Sequence, residues 1–284
     1  MASIAFLGAG LMGAALAEAA AKRGERVTVW NRTAAKAKAL EVFGVRVSST
    51  VADAVAGAER VHVMLADDGA VDSVLASAGE ALHGALVVDH STTSPAGTLE
   101  RARKLEGQGI AFLHAPVFMT PTACREGTGL MLVAGPKATF DRAQAALGAM
   151  TGRIFFLGER RDLAAANKLF GNAMILAVCG GLADVFAMAA SLGIEAGDAL
   201  ALFSKFNPAG VLGYRGTAMA RGDYAPAFEL TMARKDVRLM VETAQERELA
   251  VLPALARRMD ALIARGLGSD DLGVLAIDAV PRKD

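Results

Sequence analysis

The segment Gly8-Ala9-Gly10-Leu11-Met12-Gly13 constrains this chain more than any other stretch. It follows the apolar run Ile4-Ala5-Phe6-Leu7 directly and opens an alanine-rich stretch of helical period. Three glycines at this spacing have separate uses. The first permits a tight turn, the second lets a ligand approach the backbone, and the third lets helix and strand pack closely. The helix start then offers free N–H groups and a partial positive charge, which suit a pyrophosphate. A turn built on Gly8, Gly10, Leu11, Met12 and Gly13 is expected to hold a dinucleotide and to begin a parallel sheet.

The rest of the N-terminal half keeps the same alternation. Strands are expected at Val27-Thr28-Val29-Trp30, Val61 to Leu65, Leu86-Val87-Val88, Ile110 to Leu113, Met131-Leu132-Val133 and Ile154-Phe155-Phe156, with helices covering both faces of the sheet. After Gly158 the pattern changes. Arg160-Arg161-Asp162 leads into a helical stretch reaching about Ser191, and no strand pattern follows. Helix boundaries are read at Gly193, Pro208, Pro253 and Gly266-Leu267-Gly268.

The expected fold is an α/β Rossmann-type doubly wound sheet over residues 1–161, followed by an all-α C-terminal domain over 162–284. Two domains suit a chain of 284 residues. The apolar run Leu169 to Ala183 is shorter than a bilayer requires and contains three glycines and Asn172, so it is expected to be a buried helix rather than a membrane span.

Charge excludes one class of partner. Thirty basic and thirty acidic residues leave no net charge, and the basic ones are scattered, which does not suit nucleic acid. Cys124 and Cys179 supply neither a disulfide framework nor a metal cluster, and the four histidines lack metal spacing, so no metal is expected. The apolar start has no positive leader, and a cytoplasmic setting is expected rather than secretion.

The end of the second strand bears on the choice of nicotinamide cofactor. An acidic residue there would accept hydrogen bonds from both ribose hydroxyls and repel a 2′-phosphate, but this chain has Asn31-Arg32-Thr33. NADP is therefore favoured, with NAD possible. Arg32 can pair with the phosphate and cover adenine, while Asn31 and Thr33 can donate hydrogen bonds.

Other short segments fall in a recognisable order. The glycine turn, Asn31-Arg32-Thr33, Met64-Leu65, Ser91-Thr92, Ala115-Pro116-Val117, Gly127-Thr128, Lys168 to Asn172 and Lys235-Asp236 together resemble the β-hydroxyacid dehydrogenase family. That family includes 3-hydroxyisobutyrate dehydrogenases and glyoxylate or succinic semialdehyde reductases. The resemblance implies an enzyme that moves hydride between a nicotinamide and a hydroxy acid or aldehyde carbon, with Lys168 as general acid and base. It also implies that Asn172 orients the substrate. Met64, Leu65 and Ala66 would line the adenosine side of the cofactor, Thr92 with Ser91 would reach the nicotinamide ribose, and Lys235 would close over the cofactor. Family members assemble through the helical domain, so a homodimer or homotetramer is implied. The apolar run Met174 to Val178 agrees with that.

The chain departs from the family at one loop. Where Asp-Ala-Pro-Val-Ser-Gly-Gly is common, it reads His114-Ala115-Pro116-Val117-Phe118-Met119-Thr120. Two readings stand. Phe118 and Met119 point into the core while backbone N–H groups and Thr120 hold a small acid, or both side chains contact a more apolar substrate. Gly171, between Lys168 and Asn172, is read as leaving room for that substrate beside the helix. An imine reductase on an apolar substrate, or a redox-inactive NADP-binding sensor, are the alternatives.

Overall fold

The structure is a computed structural model, and it describes residues 2–282. Six strands form one parallel sheet: β1 (Ser3–Leu7), β2 (Arg26–Trp30), β3 (Arg46–Val47), β4 (Arg60–Val63), β5 (Leu86–Asp89) and β6 (Ala111–His114), in the order β3-β2-β1-β4-β5-β6. Helices α1 (Leu11–Lys22), α2 (Ala34–Lys38), α3 (Val51–Val55), α4 (Asp68–Ala78) and α5 (Pro95–Gly107) make the crossovers. The strand order reverses beside β1. A crevice at the carboxyl ends of the strands is expected at such a switch point.

The strands are apolar on both sides because both sides are covered. Ile4 and Phe6 pack in one cluster with Leu16, Ala20 and Val29, while Ala5 and Leu7 face the opposite cluster with Val63, Val71 and Leu75. Both clusters are buried, which fixes the register of β1 from Ile4 to Leu7.

A second sheet follows: β7 (Val117–Phe118), then α6 (Pro121–Glu126), β8 (Leu130–Val133), α7 (Lys137–Thr151) and β9 (Ile154–Phe156). β7 runs antiparallel to β8, and β8 parallel to β9. The expected strands at 131–133 and 154–156 thus belong to a separate three-stranded sheet. β3 and β7 were not expected. Each has two residues, too few to show any periodicity.

The chain divides into two compact units, Met1–Asn172 and Ala173–Asp284. The division falls inside α8 (Leu163–Ser191) rather than at 161/162. The first turn of α8 belongs with the sheets because Ala164 packs on Leu132 and Ala134, with Leu163 against the same cluster.

The second unit is helical, with α9 (Ala196–Ala201), α10 (Gly210–Ala220), α11 (Leu230–Ala244) and α12 (Leu252–Ala264). Tyr224, Leu230, Val237, Met259, Leu262 and Val274 form its core. Asp184 caps α12, accepting hydrogen bonds from Val251 N at 3.0 Å and Leu252 N at 2.8 Å, while Pro253 in the first turn needs no acceptor.

One expectation is overturned here. Within Leu169–Ala183, Phe170, Met174, Ile175, Leu176 and Val178 are exposed, Leu176 at 70%, so α8 is not the buried helix expected from its composition. By length and composition alone it would also suffice to cross a membrane. Leu200, Leu202, Phe206, Leu212 and Tyr214, later in the chain, are exposed as well.

Candidate active site

The glycine turn has the steric pattern its spacing predicts. Gly8 has φ +111°, and a Cβ there would overlap the Met64 carbonyl oxygen. One on Gly13 would overlap the Gly8 carbonyl oxygen, so neither position tolerates a side chain. A Cβ on Gly10 would meet nothing within 4 Å. Gly10 is the N-cap of α1 and makes no side-chain cap, so the next N–H groups are left for an incoming group. The open surface at Gly10, beside two crowded glycines, fits a dinucleotide pyrophosphate.

Around this turn the other cofactor candidates take different positions. Asn31 Oδ1 accepts from Ala9 N at 2.9 Å, and Asn31 Nδ2 donates to the Thr33 carbonyl at 2.9 Å. Its amide therefore braces the glycine turn and the loop after β2. Arg32 and Thr33 are exposed on that loop, as is Leu11 at the start of α1, with Met12 half-buried behind it. Met64 N donates to the Leu7 carbonyl, which ties the segment after β4 to the turn after β1. Leu65 N donates to Ser91 Oγ at 3.0 Å, and Ala66 is exposed. Ser91 is buried and Thr92 exposed, so the pair splits into a brace and a surface group.

Behind Ser91 lies a buried polar network that sequence reading missed. Asp89, wholly buried at the end of β5, accepts from Ser91 N at 2.9 Å through Oδ1. Its other oxygen accepts from Arg101 Nη1 at 3.4 Å. Arg101, itself 3% exposed on α5, also reaches Asp72 at 2.7 Å and Asp68 at 2.9 Å. Asp68 Oδ2 accepts from Ser94 N, so both ends of the Ser91–Ser94 loop are tied to one guanidinium. The partners are 12 to 33 residues from Arg101, and only the i, i+4 placement of Asp68 and Asp72 gave any signal.

Three histidines fill the space between β4, β5 and β6. His62 Nδ1 lies 3.0 Å from His90 Nε2, and His90 Nδ1 donates to the Ala115 carbonyl at 2.7 Å, which makes His62 the donor of the pair. His114 Nε2 donates to the Ser91 carbonyl at 3.1 Å. Burial pushes all three below the ordinary histidine range, most strongly at His62, so they are neutral structural groups.

Lys168 and Asn172 share a face of α8, one turn apart. Lys168 Nζ stands 3.8 Å from the centroid of the Phe118 ring. Burial lowers its pKa from the ordinary lysine value, and among the described residues no carboxylate pairs with it. The Phe118 ring also covers Gly171, where a Cβ would overlap ring atom Cζ. The space beside Gly171, expected to admit substrate, is therefore taken by Phe118. Met119 packs toward the main core and against Gly129, while Thr120 caps α6 by accepting from Ala123 N at 3.1 Å. Both side chains pack on apolar clusters, Met119 on the main core and Phe118 beside Leu132, Ala134 and Ala164, and the Phe118 ring also faces the amine. Lys235 lies on α11 in the second unit, exposed and 2.9 Å from Asp236 Oδ1.

Residues 3–158 match the family model of the NAD binding domain of 6-phosphogluconate dehydrogenase. The chain is 30% identical over 281 residues to glyoxylate/succinic semialdehyde reductase 1 of Arabidopsis thaliana, with 96% of each protein covered. The chain belongs to the β-hydroxyacid dehydrogenase family. This β-hydroxyacid dehydrogenase is also 30% identical over 280 residues to an uncharacterized oxidoreductase of Bacillus subtilis, covering 96% of this chain and 98% of the relative. Among solved structures it is similar to an imine reductase of Streptomyces aurantiacus, with a TM-score of 0.90, 27% identity, and 99% and 100% of the two chains covered. The imine reductase of Myxococcus stipitatus in complex with NADP+ aligns with a TM-score of 0.89 at 25% identity, over 96% and 98% of the chains. The protein is thus a nicotinamide-dependent oxidoreductase of hydroxyacid dehydrogenase type.

Proposed function

We propose that this β-hydroxyacid dehydrogenase is an NADPH-preferring carbonyl reductase in which Lys168 exchanges a proton with the reacting oxygen. The observation that carries the reading is the half-buried Lys168 amine, held on α8 without a carboxylate partner among the described residues, one turn before Asn172. A carboxylate beside the amine would hold it as the ammonium and make it resist giving up its proton. Lys168 has no such partner among the described residues, so both forms are open to it.

A bound nicotinamide dinucleotide supplies the hydride in reduction and accepts it in oxidation. Gly8, Gly10, Leu11, Met12 and Gly13 would hold its pyrophosphate, and Arg32 with Thr33 its adenosine 2′-phosphate, beside a strand end that carries Asn31 in place of an acid. Met64, Leu65, Ala66 and Thr92 would border the rest. In reduction the Lys168 ammonium donates a proton to the carbonyl oxygen as negative charge develops. In oxidation its neutral amine takes the hydroxyl proton, and the lowered pKa brings that form within reach. Asn172 has both a donor and an acceptor with which to fix the substrate.

The substrate is a small aldehyde or keto compound with an apolar group next to the carbonyl. Phe118, with its ring against Lys168, supplies the apolar wall, whereas Met119 is turned away and Thr120 is occupied by its cap. Imine reduction is the second reading, favoured by the same ring and by the likeness to imine reductases. Retention of a lysine speaks for the carbonyl, since a protonated imine needs no strong acid. Turnover of NADPH with glyoxylate, succinic semialdehyde, branched and aromatic aldehydes and cyclic imines separates these. Lys168→Ala is expected to cut carbonyl reduction by about 10²–10⁴-fold, with NADPH affinity unchanged. Wild-type rates in that variant would remove the mechanism.

The exposed side of α8 and the apolar residues of α9 and α10 are covered by a second copy of the chain, giving a homodimer or a homotetramer in a cytoplasmic setting. These exposed apolar residues come from several helices with the charged Asp198 on α9 among them, a surface suited to a partner rather than to a lipid bilayer. Light scattering after size exclusion should give at least twice 29.3 kDa. Leu176→Asp with Val178→Asp should return it to the monomer mass.

A further inference from the structure

One side chain covers two neighbouring positions on the face of α8 that carries the amine. The Phe118 ring meets Lys168 Nζ at 3.8 Å. It also rests on the helix at Gly171, where an added Cβ would overlap Cζ and stand 2.9 Å from Cε1. The ring is anchored from both sides. Its backbone pairs with Leu130 in the β7–β8 ladder, and the side chain packs with Leu132, Ala134 and Ala164.

We infer that Phe118 is the positioning residue for Lys168: its ring seats the ammonium at one place on α8, and the missing side chain at Gly171 is what lets the ring reach that place. The inference rests on the assignment of Lys168 as the proton-exchanging group. An aromatic face attracts a cation through its quadrupole, and at the same time the ring keeps water from the amine. These two influences oppose each other. Exclusion of water favours the neutral amine, while the ring face favours the ammonium. Leucine at 118 keeps the first and loses the second.

Charged groups on the elements around the ring have partners of their own. On α8 and the loop before it, Asp162 is 2.7 Å from Arg160 and Arg161 is 2.8 Å from Glu106. Beside β7, Arg125 of α6 is 2.8 Å from Glu18, and after β9 Glu159 accepts from Lys137 N at 3.0 Å. β8 and β9 carry no ionisable side chain.

The test reads the amine directly and needs no turnover. Trace acetylation of the whole protein with acetic anhydride between pH 7 and 11, with the Lys168 peptide quantified by mass spectrometry, gives the midpoint at which the amine becomes reactive. Phe118→Leu is expected to lower that midpoint by about half to one pH unit, and Phe118→Tyr, which keeps the ring face, to restore it. An unchanged midpoint in Phe118→Leu, or an equal fall in Phe118→Tyr, would overturn the inference. If Phe118→Leu does not fold, Gly171→Ala, which puts a methyl group where the ring rests, must lower the midpoint too, and an unchanged value there overturns it equally. Normal turnover in Lys168→Ala would remove the catalytic assignment while leaving the labelling result standing, so the two failures are distinguishable.

Discussion

Replacing Arg101 by methionine should destabilise the sheet unit severely. Methionine keeps most of the apolar stem and removes only the guanidinium, so packing of α5 on the sheet is largely retained. What is lost is the partner of Asp89, a carboxylate with no exposure to solvent. Removing one member of a buried ion pair costs about 3–5 kcal/mol, because the remaining charge has neither water nor a counter-ion. Asp68 and Asp72 add little, since their side chains are 33% and 53% exposed and such pairs contribute at most about 1 kcal/mol each. The expected loss therefore sits with Asp89. Trp30, the single tryptophan, packs against the same core cluster as Ala102 and Leu105 of α5, so its fluorescence in urea reports this unit. For a unit of this size the thermal midpoint should fall by about 6–20 °C. Adding Asp89→Asn should recover part of the loss, with a coupling of about 1–3 kcal/mol in the double-mutant cycle. A loss below about 1 kcal/mol in Arg101→Met, or strict additivity with Asp89→Asn, would refute the reasoning.

Three further outcomes follow from particular side chains. Gly10→Ala should leave the urea midpoint unchanged and weaken NADPH binding at least about tenfold, whereas Gly13→Ala should lower both, since only Gly13 abuts the protein itself; equal stability losses in a paired titration would contradict this. Arg32→Ala should cost NADPH about 1.5–3 kcal/mol of binding and leave NADH almost untouched, and equal losses by calorimetry would overturn the cofactor preference. His62, His90 and His114 stay neutral in the fold while the unfolded chain takes up protons below about pH 6.5, so stability should decline as pH falls from there. A Trp30 urea midpoint that is the same at pH 7.5 and 5.5 would count against it.

The same residues show why parts of this molecule were legible in the sequence and others were not. Gly8 and Gly13 could be assigned because each is required by a single backbone oxygen whose position follows from the strand–turn–helix itself. The long strands were legible because burial on both sides writes a continuous apolar run. Lys168 and Asn172 were legible as a pair because helical spacing is local. Arg101 and Asp89 were not, because their meeting depends on how α5 crosses back over the sheet, and no local pattern records that.

The harder failures concern direction and cover. α8 is apolar on every side, and a helix of that kind reads the same whether its own chain or another copy covers it, so composition suggested burial where the single chain leaves exposure. Phe118 ends a two-residue strand and Met119 follows it, and successive residues of extended backbone point to opposite sides. The two side chains accordingly meet different apolar clusters, Phe118 beside Leu132, Ala134 and Ala164, and Met119 beside the main core. Gly171 records the Phe118 contact from the helix side. A glycine in the interior of a long helix costs about 1 kcal/mol relative to alanine, and here that cost has a physical return, because any side chain at 171 would stand where the Phe118 ring meets the helix. Phe118 and Gly171 should therefore vary together: Gly171→Ala combined with Phe118→Leu should be better tolerated in urea unfolding than Gly171→Ala alone, and the reverse order would mean that the ring does not rest on the helix.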